Sequence, residues 1–131
     1  MAQVKRSGDG RGIALATGAA LLLLVMSLTL GADPPRPQFI EQQDKFEHLI
    51  AFLALGLAFG WNASFVGLFA SAIGLSSAAV GIEVAQGVID AGRAPAAADA
   101  IAGMAGALCG VTLALLMSRF GRLSAAGARR A

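Results

Sequence analysis

Charge is what this chain is short of. Of its 131 residues only 14% are charged, against 56% hydrophobic, and the mean hydropathy is +0.71. A soluble domain carries roughly 25% charged residues, so this composition cannot cover a wet surface. Lipid is the expected solvent for most of one domain's worth of sequence. Cysteine is nearly absent as well. Cys109 stands alone, which excludes an intrachain disulfide, and its apolar surroundings predict a buried, inert packing thiol. With one histidine and no usable cysteine, no metal is expected; His48, Glu47, Glu83 and Asp99 are the residues that could supply ligands. No G-x-S-G occurs, and Ser76 and Ser77 lie deep in an apolar segment, which sets aside an intramembrane serine protease. No basic face with interleaved aromatics exists either, so nucleic acid is not an expected partner.

What the chain does have is long apolar runs. A spanning helix needs about 20 mostly apolar residues. The first candidate, "IALATGAALLLLVMSLTL" over 13–30, holds no charge. It exceeds the usual length of a signal-peptide core, and Leu30 stands where a cleavage site wants a small residue, so a retained span is expected. Pro34, Pro35 and Pro37 then forbid helix and mark a loop. A second span is expected from about Asp44 to Gly60. The third begins after "WNAS" and ends near Glu83 or Gln86, and the fourth runs from about Ala98 to Met117. The expectation is an all-α, four-span bundle over 13–118, flanked by a basic tail over 1–12 and a basic, disordered tail over 119–131. Lys5, Arg6, Arg11, Arg119, Arg122, Arg129 and Arg130 place most of the ten basic residues in those tails. This bias puts both termini on the cytoplasmic side of a bacterial inner membrane. Trp61, in the short connection between the second and third spans, reads as an interfacial anchor.

Small residues recur at helical spacing: Gly56 with Gly60, Gly106 with Gly110, and Gly67, Gly74 and Gly81 seven apart. In lipid such rows let backbones approach closely, and all are expected to be helix–helix contact faces within one chain.

The topology gathers the scarce charges. Asp44, Lys45, Glu47 and His48 fall at the outer end of the second span, Glu83, Gln86 and Asp90 at that of the third, and Asp99 in the first turn of the fourth, with Arg93 just before it. Asp44 and His48 are i and i+4, and so share a face. Ionisable groups at membrane depth cost several kcal/mol unless paired or hydrated, and they mark function by default. Plainer roles compete at each position. Asp44 and Asp99 suit helix capping and the helix dipole. Lys45 suits snorkelling to headgroups. Glu47 suits an interface charge, His48 a hydrogen-bonded structural role, and Asp90 a solvated loop.

The order Asp44-Lys45-x-x-His48, Glu83-x-x-Gln86, Arg93 and Asp99, followed by Gly106, resembles the VanZ-like family of small membrane proteins. The resemblance covers roughly residues 13 to 118. It implies four spans, a cell-envelope role without a settled reaction, and Asp44, Lys45, His48, Glu83, Gln86, Arg93 and Asp99 as the site. The family takes its name from a protein that lowers susceptibility to the glycopeptide teicoplanin. One departure stands out: Gly103 occupies the position where the family usually carries asparagine.

Two functional classes follow. In one, an outward-facing site binds or modifies a lipid-linked or peptidoglycan-related component, with Lys45 and Arg93 on its anionic groups, Asp44 and Gln86 beside them, and His48, Glu83 and Asp99 as catalytic candidates. In the other, the chain is a non-enzymatic membrane helper whose polar cluster locks its helices or docks a partner subunit. Membrane lipids are partners in both, and no cofactor is named by the sequence.

Overall fold

The computed structural model describes residues 2–30, 42–89 and 95–128, with side chains described over 10–27, 42–89 and 95–121. Four helices account for nearly all of them: α1 (Ala2–Leu30), α2 (Gln43–Gly60), α3 (Phe65–Ile89) and α4 (Ala97–Ala128). The protein is all-α, as the run lengths and the absence of strand patterning require. Two helices exceed their expected bounds. α1 begins at Ala2, ahead of the apolar run, and α4 continues to Ala128 through the segment read as a disordered tail. No proline interrupts either extension; Ala, Arg and Leu favour helix at the end of α4, whereas Gly8, Gly10 and Gly12 make the start of α1 a weaker helix former.

Three helices contain windows long and apolar enough to cross a membrane: Gly10–Ser27, Phe65–Ile89 and Ala97–Gly121. The second expected span does not qualify by itself. Asp44, Lys45 and Glu47 occupy the start of α2, leaving an apolar stretch over 49–60 that is about 18 Å long. A hydrocarbon core is about 30 Å thick. α2 is shielded by its neighbours instead. It touches each of the other three helices, α4 most extensively, and buries Phe52, Leu55, Gly56 and Gly60 among them.

Glycine decides how close α2 and α4 come. A Cβ built on Gly56 would lie 2.5 Å from the Ala107 carbonyl oxygen, and Cβ atoms on Gly106 and Gly110 would collide with the Leu49 and Leu53 carbonyl oxygens. Both predicted pairs therefore face one another in a single crossing, where backbone meets backbone. The third row behaves differently. A Cβ on Gly74 or Gly81 would have nothing within 4 Å, whereas one on Gly67 would have Ala63, Ser64 and Arg11 of α1 as its nearest neighbours, each at 3.3 Å. Beyond Gly67 the stripe lies on the outer side of α3, and Gly74 and Gly81 are not on a contact face among the described residues. Around it Val66, Phe69, Ile73, Val84 and Val88 are exposed. Such a ridge would be an aggregation liability in water and is ordinary in lipid.

The turn between α2 and α3 fixes the end of the bundle opposite the acidic residues. Asn62 adopts a left-handed φ of 51°, which asparagine tolerates better than most residues. Ser64 Oγ accepts a hydrogen bond from Gly67 N at 3.1 Å and caps α3. Arg11 of α1 donates to the Asn62 carbonyl at 3.3 Å. Gly18 packs on the Phe59 ring, while Leu21, Leu22 and Val25 reach the core of Phe52, Leu55, Leu75, Ala79, Ile82 and Ala107. The α1 residues thus climb from the turn toward the polar end as α2 descends from it.

Candidate functional site

His48 stands one turn into α2, at the end of the bundle away from Arg11 and Asn62. Its Nδ1 lies 3.0 Å from the Asp44 carbonyl oxygen, the helical i−4 position. A carbonyl only accepts, so Nδ1 carries the proton, and in the neutral ring Nε2 is then an acceptor. That Nε2 points at Glu83 Oε1 of α3, 3.3 Å away. Both residues are more than nine-tenths buried. The distance is that of an ion pair, yet the two atoms are not aligned as a hydrogen bond, and among the described residues neither has another hydrogen-bond partner.

Glu83 also works at the other end of its carboxylate. Oε2 accepts a hydrogen bond from the Ala96 amide at 2.8 Å. Ala96 precedes α4, and its own carbonyl receives Asp99 N at 2.9 Å as that helix begins. The residue just before α4, Ala96, has no capping side chain, and a carboxylate from α3 accepts from its amide instead. The positive end of the α4 dipole favours negative charge there. Glu83 therefore joins α2, α3 and α4 at one point.

Asp99, half-buried in the first turn of α4, completes the group. One ligand-capable atom each from His48, Glu83 and Asp99 lie within 4.8 Å of one another. Among the described residues neither carboxylate forms an ion pair with a lysine or arginine. Three separate helices thus deliver an imidazole and two acids to one layer, as the topology of the sequence anticipated.

The other expected site residues divide. Gln86, one turn after Glu83, is 2% exposed. Asp44 contributes its carbonyl to His48, and Lys45 is half-buried beside it. Glu47 accepts a hydrogen bond from Gln43 at 2.9 Å and belongs to the α2 entrance. Arg93 and Asp90 lie outside the described residues. The Ala96 amide was not anticipated; its one sequence signal is the missing cap residue before α4. Gly103 is buried where a Cβ would stand 3.0 Å from the Ala79 Cβ and 3.1 Å from the Phe52 ring. An asparagine has no room there, so glycine at 103 goes with a closer approach of three helices beneath the cluster.

The apolar outer surface and the spanning helices define an all-α membrane protein with an internal polar cluster at one end. Comparison with family models, curated proteins and solved structures returned no match.

Proposed function

We propose that this chain is a VanZ-like, multi-pass protein of the bacterial cytoplasmic membrane, with both termini inside and its polar cluster on the outer side. In this reading the cluster binds or modifies a cell-envelope component, a lipid-linked or peptidoglycan-related molecule, and bears on susceptibility to teicoplanin-type glycopeptides. The observation that carries the reading is the convergence of His48, Glu83 and Asp99 from three helices into one layer, the first two buried and Asp99 half-buried. Burying an imidazole and a carboxylate, with a half-buried second acid beside them, is costly, and the cap that Glu83 gives Ala96 employs only one of the three groups. Lys45 and Arg93 are the groups for a phosphate or carboxylate of the ligand. His48 and Glu83 are the pair for moving a proton, with Asp99 and Gln86 beside them.

The topology gains support from the Arg11–Asn62 contact, which brings the basic end of α1 to the α2–α3 turn. α2 then counts as a span because protein, and not lipid, surrounds its short apolar stretch. Glu83→Gln and His48→Ala, compared with the parent chain at matched membrane abundance, are expected to abolish any change in glycopeptide susceptibility that the parent confers. A parent-like phenotype from both variants contradicts an active cluster.

A second reading, a non-enzymatic helper that docks a larger membrane protein, draws on the bare stripe of Gly74 and Gly81 on α3. It predicts that the same two variants lower the amount of protein and leave its effect per molecule unchanged, with a partner that co-purifies.

A further inference from the structure

Two facts about the His48–Glu83 contact are in tension. Nδ1 of His48 holds its proton against the Asp44 carbonyl, so the neutral ring presents a bare lone pair at Nε2. That lone pair faces a carboxylate oxygen at 3.3 Å, inside the protein, with no other hydrogen-bond partner for either atom among the described residues. Two buried acceptors at that separation repel unless something positive lies between them. A proton on Nε2 is one candidate, but the pair lacks the alignment a shared proton needs, and Asp99 adds a second carboxylate to the same space.

We propose that His48, Glu83 and Asp99 form a binding site for one divalent transition-metal ion, zinc by its donor set. Zinc takes imidazole nitrogen and carboxylate oxygen at about 2.0–2.2 Å, and two such bonds at the tetrahedral angle span roughly 3.3–3.6 Å. The His48–Glu83 separation of 3.3 Å lies on that edge. The half-buried Asp99 places a carboxylate oxygen within 4.8 Å of a ligand-capable atom of each of the other two, and in the proposed site a side-chain rotation would bring it to the same centre.

Charge and supporting contacts agree. Two carboxylates and a neutral imidazole carry two negative charges, which a divalent ion cancels without a lysine or arginine. The Nδ1–H bond to a backbone carbonyl is the support that orients a metal-binding histidine and fixes its tautomer. Glu83 is held in the same way through its second oxygen by the Ala96 amide. Three protein ligands leave a fourth position for water or for a phosphate or carboxylate oxygen, the arrangement of catalytic zinc sites. Magnesium fits poorly, because it prefers oxygen ligands and octahedral geometry. The expectation of no metal rested on counting histidines and cysteines; a site with one nitrogen and two oxygens does not need more of either.

The inference concerns the same cluster as the proposed function and reassigns His48 from proton carrier to ligand, but it does not depend on the envelope ligand. The full chain, purified in detergent and stripped with a chelator, is titrated with zinc and separately with cobalt(II). One zinc per chain is expected, together with the intense visible absorption of tetrahedral cobalt. Zinc should raise the midpoint of thermal unfolding and magnesium should not. His48→Ala, Glu83→Gln and Asp99→Asn should each weaken zinc binding roughly tenfold or more, whereas Glu47→Gln should bind as the parent does. Far-UV circular dichroism checks that each variant is folded. Should the variants unfold, the cobalt spectrum of the parent decides. Helical parent protein that gives no such spectrum and retains no zinc overturns the proposal and leaves a proton between His48 and Glu83. Equal zinc binding by the three folded variants overturns it too. Either result leaves the glycopeptide phenotype to be judged separately, and loss of that phenotype has no bearing on zinc stoichiometry.

Discussion

Adding one methyl group at Gly106 should separate the helices that form the site. A Cβ there would overlap the Leu49 carbonyl oxygen and stand 3.0 Å from both the Leu49 carbonyl carbon and Leu53 N. These are backbone atoms of α2, so no side chain can swing aside and the helices must part. Overpacking of this kind costs about 1–3 kcal/mol. Replacing glycine by alanine inside a helix returns up to about 1 kcal/mol of propensity. Gly74→Ala supplies the reference, because nothing lies within 4 Å of that position and only the propensity gain remains. The two variants should therefore differ by about 1–3 kcal/mol, with Gly106→Ala the less stable. Reversible denaturation by sodium dodecyl sulfate in mixed micelles, followed by circular dichroism, reads the difference. The site should register it as well, since Leu49 adjoins His48 and Asp99 lies about two turns from Gly106 on α4. Gly106→Ala that is as stable as Gly74→Ala would refute the claim that backbone contact sets the α2–α4 spacing.

Other outcomes follow from the same geometry. Gly103→Asn, which supplies the asparagine of the VanZ-like pattern, should destabilise the fold by about 1–3 kcal/mol because it presses on Phe52 and Ala79; stability equal to the parent in the same denaturation series counts against the packing described. Glu83→Ala should cost about 1–3 kcal/mol by leaving the Ala96 amide buried without an acceptor, and Glu83→Gln should cost less, since its amide oxygen still accepts; equal thermal midpoints for the two variants contradict the capping role. Ser64→Ala removes the cap of α3 and should cost about 1 kcal/mol, measured by the same thermal scan. With Cys109 replaced by alanine, cysteines placed at 45, 90 and 93 should react with an impermeant reagent added from outside intact cells. Labelling only after the cytoplasmic face is opened reverses the orientation.

The sequence carried the helices better than their lengths. Hydrophobic runs bounded by "DPPRP", "WNAS" and "GRAP" located four helices, because proline and turn residues punctuate sharply. Their ends were less legible: nothing in "SRFGRLSAAGA" forbids helix, so composition suggested a tail where α4 continues. The span expected at α2 exceeds what its own apolar stretch supports, since its shelter comes from neighbours that no single-helix hydropathy can register. Gly56, Gly60, Gly106 and Gly110 formed the expected crossing, whereas in the equally regular row of Gly67, Gly74 and Gly81 only Gly67 meets another helix, because spacing gives a face and not its partner. At the site, topology alone predicted that His48, Glu83 and Asp99 share a layer. The tautomer of His48 and the bond from Ala96 to Glu83 depend on distances across helices, which sequence does not record.

The most direct measurement uses the chain's single histidine as a unique label. Protein carrying nitrogen-15 histidine and carbon-13 at the glutamate carboxyls, reconstituted in lipid, can be examined by solid-state dipolar recoupling. Close approach of His48 Nε2 to the Glu83 carboxylate, at the 3.3 Å seen between Nε2 and Oε1, predicts a strong nitrogen–carbon coupling that disappears in Glu83→Gln. A coupling that is absent in the parent, or that persists unchanged in that variant, would show the two helices holding these groups apart.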